Sequence, residues 1–288
     1  MNSYRGLYEK GVHILKEAGI SDASIDSRIL LEFVTGGDRN TLLVSPDKEV
    51  ENTLAAEYEQ LINKRASHIP LQHIIGVQNF MGLDFYVGPN VLIPRQDTET
   101  LVEEALTYTE DGMRVLDLCT GSGCILLSLM YYRKDIQGIG VDISKEALEV
   151  ARKNAKALEI DGAQFLEGDL FETLEGNLLE KLEDRKFDVI VSNPPYISRK
   201  VIETLEPEVK DHEPYIALCG GEDGLDFYSR IAQNVKNYLA KEGRLYLEIG
   251  YDQGAEVRQM LLDAGFEDVE VKQDLCHNDR VVCAKMRY

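Results

Sequence analysis

Apolar positions in the first seventy residues recur at helical spacing. Leu7, Ile14, Leu15 and Ala18 fit one face of a first helix, and Ile25, Ile29, Leu30 and Phe33 fit one face of a second. Val50, Leu54, Tyr58, Leu61 and Ile62 form a stripe on a third. Gly19, Gly36-Gly37 and Pro46 punctuate these segments. The stripes predict the core of a small helical domain over 1–70, a type of module that can grip a macromolecular substrate. After Pro70, Ile74, Ile75 and Phe80, then Leu83, Phe85 and Val87, flank Met81-Gly82. They predict a β-hairpin and a stiff linker over 71–93. Asp97 is the predicted N-cap of a helix carrying Leu101, Val102, Ala105 and Leu106. From composition alone, Arg95 and Glu99 beside it read as ordinary surface charges.

From Met113 onward strand-like and helical runs alternate, which predicts an α/β domain over 94–288 with a mostly parallel, Rossmann-like sheet covered on both faces. Candidate strands are 114–118, 138–142, 164–168, 188–192 and 244–249. Helical patterns lie between them, at Leu148, Ala151, Ala155 and Leu158, and at Phe227, Ile231, Val235 and Tyr238. Two further runs, 269–272 and 280–284, predict a C-terminal antiparallel hairpin on the sheet edge. The charged stretch from Glu172 to Lys186 reads as a solvated helix or loop.

Composition narrows the function. A chain of 288 residues, 44% hydrophobic and 28% charged, can bury a substantial core. No apolar run reaches membrane-span length, and the first residues do not resemble a signal peptide. The five cysteines include no C-x-x-C pair and read as thiols of a cytoplasmic protein. The five scattered histidines offer no metal-ligand spacing, so no metal is expected. A formal net charge of −20 argues against nucleic acid as the main partner.

The stretch Phe187-Asp188-Val189-Ile190-Val191-Ser192-Asn193-Pro194-Pro195-Tyr196 reads as a buried strand that stops at Asn193. Two prolines then deny the ladder its N–H groups. In open α/β sheets, ligands bind at such carboxyl ends. The Asn193 side-chain oxygen and the Pro194 carbonyl form a pair of acceptors suited to one planar NH2 group. Drawing on both N–H bonds returns electron density to a nitrogen whose lone pair is otherwise delocalised. Tyr196 can cover the flat face of the same group, and Pro195 completes the rigid turn. Taken alone, the stretch is equally a proline turn that ends a strand.

Val115-Leu116-Asp117-Leu118-Cys119-Thr120-Gly121-Ser122-Gly123 joins the first strand of the alternating region to an apolar helix bearing Ile125, Leu126, Leu127 and Leu129. Its glycines permit a tight turn and close ligand approach. Leu126 stands where a dinucleotide fingerprint needs its third glycine, and no Lys-Ser/Thr follows for a P-loop. Asp142, at the end of the second strand, is placed to take ribose hydroxyls. Asp169 or Leu170, after the third, is placed to meet an adenine. Each alone also reads as a solvated strand-end carboxylate. Together with the Asn-Pro-Pro-Tyr stretch, these residues describe an adenosine with an amino-acid tail and no phosphates, namely S-adenosylmethionine.

The order D-x-C-T-G-S-G, V-D-I-S, G-D-L, N-P-P-Y resembles class I S-adenosylmethionine-dependent methyltransferases that act on an NH2 nitrogen. The run PLQHIIGVQNFMGLDFYVGPNVLIPRQDTE is similar to the linker of the PrmC/HemK family, the peptide chain release factor glutamine methyltransferases. EPYIALCGGEDGLDFY, EIGYDQG and NDRVV are similar to further segments of that family. The resemblance covers nearly the whole chain and is weakest in the helical part. It implies cytoplasmic methylation of the glutamine in the Gly-Gly-Gln loop of class I release factors, with S-adenosyl-L-homocysteine as by-product. It implies neither direct nucleic-acid binding nor membrane attachment. Asn193, Pro194 and Tyr196 would be catalytic, and Pro195 would line the substrate amide with them. Cys119, Thr120, Gly121, Ser122, Gly123, Asp142, Asp169, Leu170 and Asn193 would surround the cofactor. Three positions depart from the family: Cys119 for a usual glycine, Gln96 for a usual proline, and Cys276-His277 in a stretch that often holds glycine. The first implies a tighter turn or a shifted cofactor.

Three other functions fit parts of this pattern. A sister family methylates a ribosomal-protein glutamine, although the Arg95-Gln96-Asp97-Thr98-Glu99 run favours the release-factor group. An adenine or guanine N-methyltransferase shares N-P-P-Y but calls for a basic face. A non-catalytic binding protein would have no use for an intact Asn193–Tyr196 clamp.

Overall fold

The computed structural model describes residues 2–174 and 186–286. Most of the charged stretch read as a solvated helix or loop, 175–185, lies outside the described residues. The chain divides into two compact units, Met1–Val77 with Glu206–His212, and Gln78–Leu205 with Glu213–Tyr288.

The first unit is helical: α1 (Tyr4–Glu17), α2 (Ala23–Thr35), α3 (Arg39–Val44), α4 (Asn52–Ala66) and α5 (Leu71–Ile75). The later segment α10 (Pro207–Lys210) belongs with it. Leu7, Leu15, Leu30, Leu31, Tyr58 and Ile62 make its core. The face expected on α2 is wrong in part, since Ile25 and Phe33 are 50% and 52% exposed while Asp26 and Ser27 are buried. Both polar residues are satisfied inside. Ser27 Oγ shares a 2.8 Å hydrogen bond with the Tyr58 hydroxyl, and Asp26 accepts from Arg65 Nε at 2.6 Å. Arg65 Nη2 also reaches Glu208 at 2.6 Å. Ile74 and Ile75, expected in a strand, end α5 instead, where Gly76 closes the helix with φ +78°.

The predicted hairpin follows, β1 (Val77–Phe80) and β2 (Leu83–Tyr86), and from Gln78 onward it belongs to the second unit. Met81 and Gly82 both take positive φ, +51° and +72°, as a two-residue turn of matching twist requires. Next comes a short 3₁₀ turn, Gln96–Thr98, leading into α6 (Glu99–Leu106). Asp97 therefore lies in the turn and caps nothing. The sheet strands are β3 (Arg114–Leu118), β4 (Gln137–Asp142), β5 (Gln164–Glu167), β6 (Phe187–Ser192), β7 (Leu239–Glu248), β8 (Phe266–Gln273) and β9 (Asp279–Met286). Their spatial order is β5-β4-β3-β6-β7-β9-β8. The first five are mutually parallel, and β9 runs antiparallel to both β7 and β8.

Helices cover both faces, so the central strands read as continuous apolar runs. Leu116, Leu118, Ile190, Leu245 and Leu247 point to one side, against α12 (Asp226–Asn234) and α13 (Gly254–Asp263). Val115, Val189, Val191 and Tyr246 point to the other, against α6, α7 (Cys124–Tyr132) and α8 (Lys145–Ala157). The short helices α9 (Arg199–Ile202) and α11 (Tyr215–Leu218) lie in the loop after β6. Successive strands step outward from β3 to β5, and the chain then returns to β6 on the other side of β3. The carboxyl ends of β3 and β6 thus flank a topological switch point. Among the described residues no helix is long and apolar enough to cross a membrane.

Candidate active site

A cavity of about 140 Å³ sits at that switch point. Cys119 and Gly121 border it from the turn after β3, and Asp142 from the end of β4. Asp169 and Leu170 border it from the turn after β5, and Asn193 and Pro195 from the end of β6. Ile216, Phe227 and Arg230 are among the other residues that line it.

The glycine turn has a division of labour. A Cβ on Gly121 would meet nothing within 4 Å, so its bare backbone leaves room for a ligand. A Cβ on Gly123 would lie 3.1 Å from Leu127 and 3.2 Å from Ala151, so that glycine lets two helices approach. Cys119 adopts φ +57°, a left-handed conformation that costs an L-residue about 1–2 kcal/mol. Burial raises its thiol pKa well above the usual range, assisted by the charges of Asp142 and Asp117, so the sulfur stays protonated. Thr120 and Ser122 are buried and do not border the cavity. Thr120 Oγ1 donates to Asp117 Oδ2 at 2.6 Å, and the Ser122 carbonyl accepts from Asn154 at 2.9 Å.

Asp142 is held by backbone donors. Gly121 N–H reaches Oδ2 at 2.8 Å and Ser144 N–H reaches Oδ1 at 2.9 Å. Burial raises its pKa, and these two hydrogen bonds oppose the rise. Each oxygen retains a lone pair for a ligand. Asp169 forms a 2.9 Å ion pair with Arg230, so the cavity's cation is already neutralised.

Asn193 is oriented by its own amide, whose Nδ2 donates to Thr98 Oγ1 at 3.3 Å. Oδ1 is left as an acceptor with no partner among the described residues. Pro194 is buried, and Ser192 Oγ ties the strand end to the Leu118 carbonyl at 2.7 Å. Tyr196 borders an adjoining groove shared with Gln253 and Arg280. Its hydroxyl donates to Glu248 Oε1 at 3.3 Å, and its carbonyl accepts from Gln253 Nε2 at 3.0 Å.

Sequence reasoning assigned no role to several residues behind this wall. Glu248, at the end of β7, is 1% exposed. Burial pushes its carboxyl up to about 7, against the opposing influence of Thr98, Arg280 and Tyr196. Arg280 pairs with Asp274 at 3.0 Å and with Asp97 at 3.1 Å. Arg95 holds the buried Glu213 through contacts of 2.7 and 2.8 Å, and Glu99 accepts the Met81 N–H at 2.6 Å, so neither is an ordinary surface charge. These residues lie in the runs that carried the family resemblance; their pairing was the missing signal.

Comparison with known proteins gives two family matches. The family described as Methyltransferase domain matches residues 109–283, and that described as PrmC N-terminal domain matches residues 7–76. The release factor glutamine methyltransferase of Clostridium acetobutylicum is 43% identical over 277 residues, covering 96% of this chain and 95% of its own length. That of Caulobacter vibrioides is 41% identical over 270 residues, covering 93% and 91% respectively. A 16S rRNA methyltransferase from T. thermophilus, solved with AdoMet and guanosine, superposes with a TM-score of 0.52 at 20% identity. That match covers 73% of this chain and 50% of the other, and it is a likeness of fold.

Proposed function

We propose that this chain, which belongs to the release factor glutamine methyltransferase family, methylates the side-chain nitrogen of the glutamine in the Gly-Gly-Gln loop of class I release factors. The fold is that of class I S-adenosylmethionine-dependent methyltransferases. S-adenosylmethionine is the proposed donor, and the cavity's chemistry fits it. The walls are largely apolar, Asp142 offers acceptors for ribose hydroxyls, and Gly121 gives access to backbone. Arg230 is spent on Asp169, which leaves no cation there for a phosphate chain.

When bound, the cofactor supplies a methyl group on a positively charged sulfur, an electrophile that needs no further activation. Asn193 Oδ1 and the Pro194 carbonyl would accept the two N–H bonds of the substrate amide, and Tyr196 would cover its plane. They hold the nitrogen while its new bond to carbon replaces the carbon–sulfur bond. The methylated nitrogen then loses a proton to water, so no general base is needed. Positioning and electrostatic preorganisation supply the rate. The observation that carries this reading is the Asn193 amide tied to Thr98 through its NH2, with its oxygen left for a donor. The helical unit is the proposed grip on the release factor, a role supported by its PrmC N-terminal match.

Mass spectrometry of intact release factor after incubation with enzyme and S-adenosylmethionine tests the proposal. One methyl group on the Gly-Gly-Gln glutamine is expected. Methyl incorporation into RNA or DNA, with none into release factor, would overturn it.

A further inference from the structure

Residues 95–99 form a short segment held by its side chains along its length. Arg95 Nη2 grips the buried Glu213 at 2.7 and 2.8 Å, and Asp97 Oδ2 lies 3.1 Å from Arg280 Nη2. Thr98 Oγ1 accepts from Asn193 Nδ2 at 3.3 Å, and Glu99 Oε1 accepts the Met81 N–H at 2.6 Å. Between these anchors the chain makes the 3₁₀ turn Gln96–Thr98, closed by the Thr98 N–H on the Arg95 carbonyl at 3.1 Å.

The contact between Asp97 and Arg280 is not needed to neutralise a buried charge. Arg280 already gives Nε and Nη2 to the buried Asp274, at 3.2 and 3.0 Å. Asp97 is a second carboxylate on a guanidinium that is already matched, and its side chain is 52% exposed. An ion pair so open to water adds little stability. Its consequence is geometric. Asn193 follows β6 and Arg280 lies on β9, with β7 between them in the sheet. Consecutive residues of one turn meet both: Asp97 meets Arg280, and Thr98 meets Asn193. Building on the proposed function, we infer that Asp97 and Arg280 are positioning residues whose ion pair fixes this turn, so that the Thr98 hydroxyl meets the Asn193 NH2 and Asn193 Oδ1 is left for the substrate amide.

The backbone of the turn supplies less of this rigidity than its side chains do. Gln96 takes the first position of the 3₁₀ turn, where a proline would fix φ at little cost in hydrogen bonding. Arg95, with φ −93° and ψ 147°, already has the extended backbone that a following proline requires. With glutamine there, the turn depends on the anchors at Arg95 and Asp97.

Two measurements on the full chain test the inference. In the first, NMR follows the Asn193 side-chain NH2 and its exchange with water, without substrate. Asp97→Ala should shift these signals and speed their exchange toward the rate seen in Thr98→Val. Asp97→Asn, which keeps an acceptor for Arg280, should change them less. In the second, turnover on release factor is measured. Asp97→Ala should lower kcat about tenfold, part of the roughly 10²-fold cost of a 1 Å misplacement, with KM for S-adenosylmethionine nearly unchanged. In an Asn193→Ala background the same substitution should cost less than about twofold, because the amide that it positions is gone. Gln96→Pro added to Asp97→Ala should recover much of the lost turnover by stiffening the turn. Asn193 signals untouched by Asp97→Ala would overturn the inference. So would an equal loss of turnover with and without the Asn193 amide, or no recovery from Gln96→Pro. A wild type inactive on release factor would defeat only the proposed function, because the NMR measurement needs no substrate.

Discussion

Replacing Glu248 by Gln should change stability in a way that depends on pH. Burial raises the folded-state pKa of Glu248 to about 7 from an ordinary 4.5. The folded protein therefore keeps a proton that the unfolded chain has already released, so stability falls as pH rises. The contribution is whole below pH 4.5 and is lost progressively as pH climbs through 7. At 1.36 kcal/mol per pKa unit, the two ionisation curves diverge by about 2–3 kcal/mol between pH 5 and pH 8. Glu248 is 1% exposed, so solvent screening takes little from this figure. Asp117, Asp142 and Glu213 also have raised values, but they are present in both proteins and cancel in the comparison. Native-state hydrogen exchange of the central β7 amides at pH 5 and pH 8 reports global opening of this unit. Between those pH values the wild type should lose about 2–3 kcal/mol more than Glu248→Gln. Equal losses in the two proteins would mean that the carboxylate is ionised at little cost and that the desolvation argument is wrong.

Three further outcomes are expected. Asn193→Ala should lower kcat by roughly 10²–10³ with little change in cofactor affinity, by analogy with loss of one preorganised hydrogen-bonding group; near-normal turnover would reduce the Asn-Pro-Pro-Tyr stretch to a turn. Asp142→Ala removes the acceptor that anchors the Gly121 N–H and should weaken S-adenosylmethionine binding by about 1.5–3 kcal/mol in calorimetry; an unchanged affinity would take Asp142 out of the site. Arg65→Met strands the buried Asp26 and should cost the helical unit about 3–5 kcal/mol at pH 7 in urea unfolding. Because burial raises the Asp26 pKa, that cost should shrink as the pH is lowered and the group protonates; a cost independent of pH would count against the charge as its source.

The sheet was legible because its strands are buried on both faces and so read as short apolar runs. The hairpin was legible because Met81-Gly82 suits a turn with two positive φ angles. Periodicity failed where polar residues form the core. On α2 it selected Ile25 and Phe33, which are exposed, and passed over Asp26 and Ser27, which are buried. Those two are satisfied by Arg65 and Tyr58 on α4, and hydropathy carries no information about a distant partner. Asp97 failed for the same reason. Its local context suits an N-cap, but Arg280, far along the chain, takes its carboxylate. In the site, the strand-end residues Asn193, Asp142, Asp169 and Leu170 were legible from their positions after strands. Thr120 and Ser122 share the glycine turn with Gly121 but point into protein, a distinction that needs coordinates.

The runs that carry the resemblance are scattered from Pro70 to Val282, and several of their polar groups pair with one another. Arg95 meets Glu213, Asp97 meets Arg280, Thr98 meets Asn193, the Tyr196 hydroxyl meets Glu248, and the Tyr196 main-chain carbonyl meets the Gln253 side chain. Stability alone does not explain such an arrangement, because well-packed apolar side chains can replace buried ion pairs at no loss. Geometry does. An apolar contact tolerates sliding and rotation, whereas a chain of donors and acceptors admits only arrangements in which every proton has a destination. For a clamp that must present two acceptors to one planar NH2 group, the wrong amide orientation is isosteric with the right one. Packing cannot tell the oxygen of Asn193 from its nitrogen. Hydrogen bonding can, and Thr98 Oγ1 supplies the acceptor that the Asn193 NH2 meets. Glu248 holds the Tyr196 hydroxyl in the same way, and the burial that dehydrates this carboxyl also brings its ionisation near neutrality. A variant that exposed Glu248 to water should return its carboxyl toward the ordinary range and so remove its share of the pH dependence of stability.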